Sequence, residues 1–131
     1  MENLTIYITE ILILIFIIIT FLQSGLDKLF DWQGNISWIK GHFSKTFLAG
    51  QVTFMVGTIL VIEVITGLLA VAGIIQIVFT GATTLALYGC VLAAITLLML
   101  LFGQRVAKDY AGAFTLTGYF IIVILGVYIM S

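Results

Sequence analysis

Proline is absent from this chain, cysteine and histidine occur once each, and charged residues make up only 8% of it. Without proline, no helix can carry a proline kink. A single cysteine, Cys90, excludes an intramolecular disulfide and a CxxC redox pair. Lying inside an apolar run, it reads as a small buried apolar residue, with a reactive thiol as the alternative. One histidine, His42, cannot build a bis-histidine haem, and no Cys/His/carboxylate spacing resembles a zinc site, so no metal is expected. His42 reads as a solvated loop residue. The sequence offers no Ser/His/Asp or Cys/His nucleophile arrangement and no phosphate-binding GxxxxGK. A net charge of −1 without a basic cluster leaves no footprint for nucleic acid.

What the chain does have is hydrocarbon. Its 131 residues are 63% hydrophobic, against about 45–50% in soluble domains. A chain of this size cannot hide so much apolar surface in water, so the lipid bilayer is its solvent. Four apolar stretches, 4–22, 47–71, 74–102 and 113–130, are each long enough to span the membrane. Backbone groups in lipid must pair within their own segment, so these are helices. The alternation of a membrane barrel is missing. The expected fold is all-α: one domain, 1–131, forming a four-transmembrane-helix antiparallel bundle. The first span lacks the basic flank and cleavage site of a signal peptide, and reads as a retained helix.

The links differ. The second places a tight, uncharged turn near 73–76, and the third, 103–112, is short and charged. The first, 23–46, contains Trp32, Trp38, Ile39 and Phe43 and suits an interfacial segment between helices 1 and 2. All five basic residues, Lys28, Lys40, Lys45, Arg105 and Lys108, fall in the first and third links. The positive-inside rule then puts both links in the cytoplasm and both termini outside. Small residues recur at helical spacing: Ala82, Ala86, Gly89 and Ala93 in helix three, Gly118 and Gly126 in helix four, and Gly57, Gly67 and Gly73 in helix two. These allow close helix packing, or alternatively form a groove for a lipid-like ligand or partner helix.

Two polar groupings stand out. Asp27, Lys28, Asp31, Arg105, Lys108, Asp109 and Tyr110, with Gln23, form an interfacial charge network. Asp27 or Asp31 is expected to pair with Arg105, and Lys28 with Asp109. The network either pins the two charged links together or receives a head group or partner. The other grouping is deeper. Glu63 lies within an otherwise apolar run, where a central acidic residue costs about 3 kcal/mol on insertion scales. With helix two centred near Leu60, Glu63 falls roughly 5 Å to the outer side of the midplane. Glu10, Thr80, Thr83, Thr84 and Tyr88 fall in the same half, forming a candidate ligand or proton site remote from every basic residue. Glu63 is then expected to be protonated, bonded to a hydroxyl, sharing a proton with Glu10, or compensated by a partner.

Three stretches carry a resemblance. FLQSGLDKLFDW (21–32) resembles the SGxxKL signature of DoxX-like membrane proteins. IEVITGLLAVAG (62–73) is similar to that family's ExxxGxLxxxG stretch. GQRVAKDYAGAF (103–114) resembles its link between helices three and four, especially in relatives from Bacteroidota. The resemblance implies a four-helix protein of the bacterial inner membrane, with Gly25, Lys28, Glu63 and Gly67 as family-type positions. Arg105, Lys108, Asp109 and Tyr110 are subgroup-type positions. Some relatives are subunits of thiosulfate:quinone oxidoreductase, so a quinone is the cofactor that the resemblance admits. Four-helix enzymes of the vitamin K epoxide reductase type use cysteine pairs, which are absent here. The expected function is that of a non-catalytic or accessory subunit among other membrane-protein subunits. A quinone-linked redox subunit using the buried glutamate is the alternative, and a small proton-coupled transporter the second.

Overall fold

The computed structural model describes residues 2–131 and is all-α. Helices α1 (Glu2–Ile6) and α2 (Ile8–Ile17) lead through a π-helical turn, Ile18–Leu22, into α3 (Gln23–Phe30). The chain bends at Asp31 and forms α4 (Trp32–His42), and then a 3-10 turn, Ala49–Gln51, opens α5 (Val52–Thr80). Helices α6 (Thr84–Val106) and α7 (Tyr110–Met130) complete the bundle. Among the described residues, four stretches are long and apolar enough to cross a membrane: Ile8–Phe30, Ala49–Thr80, Thr84–Val106 and Tyr110–Met130. The protein is a multi-pass membrane protein with four long apolar helices and no sheet among the described residues.

Because both the lipid-facing and inward-facing surfaces are apolar, residue size rather than polarity distinguishes them. Thr66, Gly67, Ala70 and Gly73 of α5 are buried, as are Ala86, Gly89, Cys90 and Ala93 of α6. Phe54, Leu68, Phe79 and Phe114 point outward. The buried threonines return their hydroxyls to their own helices: Thr66 Oγ1 donates to the Ile62 carbonyl at 2.7 Å, and Thr96 Oγ1 to that of Leu92 at 2.7 Å. The first span packs on α5 and α7, α5 on α6, and α6 on α7.

Two helix ends differ from the sequence expectation. Helix α5 continues through 73–76 and stops at Thr80. Gly73 packs instead of turning: a Cβ there would lie 2.8 Å from the Ala86 Cα. Gln76 also serves helix packing, its Oε1 accepting from the Leu85 backbone N–H at 3.0 Å. The turn lies at 81–83, where Gly81 adopts φ +75 and its N–H bonds to the Ile77 carbonyl. Gly81→Ala should cost about 1 kcal/mol, because a Cβ opposes the left-handed backbone. A correspondingly lowered melting temperature would be the readout.

The other difference is at the first span. Gln23 and Ser24 do not mark its exit; the helix continues to Phe30 and carries Lys28 with it. The interfacial segment is α4, which folds back on α5 through Ile36, Phe43, Leu48, Val52 and Val56. This end of the bundle holds both charged links, which meet where His42 Nε2 contacts Gln104 Oε1 at 3.1 Å. The described termini share the other end: Asn3 Nδ2 donates to the Val78 carbonyl at 3.3 Å, and Thr83 Oγ1 to that of Met130 at 2.9 Å.

Candidate functional site: a buried lysine–glutamate pair

Glu63 is 1% exposed on the face of α5 that meets α3. The Lys28 ammonium lies 3.1 Å from its Oε1 and 3.2 Å from its Oε2. The same ammonium donates to Ser24 Oγ at 2.7 Å, one turn back on α3. Two glycines bring the helices this close. A Cβ at Gly25 would meet Val64 at 3.0 Å, and one at Gly67 would meet Leu22 at 2.8 Å. Glycine at both positions therefore sets the separation that a lysine side chain must bridge.

This pair corrects the expected depth of Glu63. Centring helix two on Leu60 placed the acid in the half away from every basic residue. Because α5 ends at Thr80, its midpoint is Thr66, and Glu63 lies on the Val52 side of it. Lys28, on the longer first span, reaches the same level. The compensation is a lysine of the same chain.

Glu63 does not meet the other residues grouped with it. Glu10 lies fifteen positions before Gly25, about 20 Å along the helix, and its Oε2 is buried without a hydrogen-bond partner among the described residues. Thr84 is exposed at the start of α6, and Tyr88 is 55% exposed. Thr80 and Thr83 bond to backbone carbonyls, those of Gln76 and Met130.

The interfacial charges also pair differently. Among the described residues, neither Asp27 nor Asp31 bridges to Arg105, and Lys28 bridges to Glu63 rather than Asp109. Asp27, Asp31 and Lys108 are exposed. Arg105 places its guanidinium 5.1 Å from the centre of the Tyr110 ring, a cation–π contact. Asp109 caps α7, its Oδ1 accepting from the Gly112 N–H at 3.0 Å, while its Oδ2 lies 3.7 Å from His42 Nε2. His42 is therefore a half-buried helix-end residue stacked on Trp38, with ring centroids 5.0 Å apart, rather than a solvated loop residue.

Sequence reasoning missed Ser24 and Gln104 as functional partners. Ser24 and Lys28 stand four apart, the spacing that puts two side chains on one helix face. That signal was present once the helix was known to continue. Nothing local marks Gln104 as the partner of a residue 62 positions away.

The fold and the site define a four-span helical membrane protein in which a partly buried lysine pairs with a buried glutamate. Comparisons with protein-family models, curated proteins and solved structures found no match.

Proposed function

We propose that the chain is a DoxX-like, non-catalytic subunit of a larger complex in the bacterial inner membrane, with both termini on the periplasmic side. One observation carries this reading. The SGxxKL and ExxxG stretches behind the family resemblance form a single helix–helix contact, in which Gly25 and Gly67 permit the approach and Lys28 joins Glu63. The motif residues thus have a common physical task, holding two spans together. An acid and a base that neutralise each other suit a scaffold better than a reacting centre.

The redox alternative, in which Glu63 acts with Glu10 or Tyr88, loses its geometric support because neither lies on Glu63. The transporter alternative rested on an uncompensated membrane acid, and Lys28 now compensates it. Extraction of the native membrane in mild detergent, followed by affinity purification, tests the accessory reading. Defined membrane partners should co-purify in fixed stoichiometry. A monodisperse monomer or homo-oligomer as the sole product would overturn it.

A further inference from the structure

A cavity of about 590 Å³ lies between α4, α5 and α6, on the Lys28 side of the ion pair. Its size is within the range of small-molecule sites, about 300–1,000 Å³. The walls are mostly apolar, among them Phe43, Ile59, Ile95 and Met99, and Trp38 and Lys28 also line it.

Lys28 has hydrogen-bonding capacity to spare. An ammonium carries three N–H donors. Here they meet two acceptor groups, the Ser24 hydroxyl and the Glu63 carboxylate. The two oxygens of one carboxylate subtend too small an angle at Nζ for two tetrahedral N–H bonds, so one proton is shared between them. The third N–H has no acceptor among the described residues, and the lysine side chain is only 15% exposed. An unpaired donor beside an apolar cavity is costly, and an occupant bearing an acceptor relieves that cost.

Charge selects the occupant. Lys28 and Glu63 are together neutral, and His42, which also lines the cavity, already faces Asp109 at 3.7 Å, so an anionic head would bring an uncompensated charge into a low-dielectric site. We propose that this cavity binds a neutral amphipathic molecule, its carbonyl or hydroxyl oxygen accepting from Lys28 Nζ and its long apolar body lying against Phe43, Ile95 and Met99. The proposal does not depend on the accessory-subunit reading, since a scaffold and a lone protein can each hold such a ligand.

Trp38 provides the test, because it lines the cavity while Trp32 does not. Single-tryptophan variants (Trp32→Phe and Trp38→Phe) in phosphatidylcholine nanodiscs are titrated with dibrominated octadecanol or dibrominated stearate, whose bromines quench indole fluorescence. Trp38 should show saturable quenching by the alcohol, with half-saturation at about tenfold lower mole fraction than for the carboxylate. Trp32 should show only the linear quenching of bulk partitioning. Ile95→Phe, which narrows the cavity, should weaken the saturable phase. The Lys28→Met, Glu63→Met double variant removes the donor without stranding a charge and should weaken half-saturation about tenfold. Linear quenching of both tryptophans would mean that ordinary acyl chains fill the space, overturning the site. Preference for stearate would overturn the neutral head group. Saturation unchanged in the double variant would overturn the role of Lys28.

Discussion

Lys28→Met alone should lower stability by about 3–5 kcal/mol, the usual cost of stranding one member of a buried ion pair. The Lys28→Met, Glu63→Met double variant should match or exceed the parent, because well-packed apolar replacements avoid the desolvation of both charges. Glu63→Gln should fall between them and be milder than Lys28→Met. The stranded lysine stands near the end of its span, at position 28 of Ile8–Phe30, and its long side chain can snorkel toward the interface. Glu63 is three residues from the middle of α5 and has no such escape. Reversible unfolding in mixed micelles, read as a double-mutant cycle, measures the coupling. Single variants as stable as the double one would show that the pair is not closed in the membrane.

Gly73→Leu should be nearly as damaging, at about 3 kcal/mol, whereas Gly118→Leu should stay within about 0.5 kcal/mol. Both glycines lie within long apolar helices, but their surroundings differ. A Cβ at Gly73 would stand 2.8 Å from the Ala86 Cα and 2.9 Å from its nitrogen. Backbone cannot rotate aside as a side chain can, so α5 and α6 must separate along their contact. At Gly118 nothing lies within 4 Å of the added carbon. Gly67→Leu belongs between them, since part of its obstacle is the Leu22 side chain. Melting temperatures of the three variants in one detergent give the ranking, and equal values for Gly73→Leu and Gly118→Leu would contradict the close packing of α5 on α6.

These two predictions rest on features that were legible to different degrees. Gly73 is visible in the sequence as a small residue, but it stood where a turn was expected. Glycine serves both turns and close contacts, and only the neighbouring helix distinguishes them. The ion pair was hidden for a related reason. Gln23 and Ser24 read as the end of a span because polar residues usually mark the interface. Here Ser24 faces inward and binds Lys28, which extends the helix and carries a cation down to the level of Glu63.

Sequence by itself determined that this is an all-α protein of four membrane-spanning helices. Hydropathy is additive along the chain, and lipid leaves a spanning backbone little choice but to pair within its own helix. It also singled out Glu63, since a charge in hydrocarbon needs a counterpart whatever the fold. Only the tertiary structure decided which counterpart. Depth depends on where each helix ends, and a shift of the α5 midpoint from Leu60 to Thr66 moves Glu63 across the middle of the bundle. Whether two residues 35 positions apart can touch depends on how closely two helices approach. Gly25 and Gly67 set that distance, and it becomes apparent only when the helices are packed together.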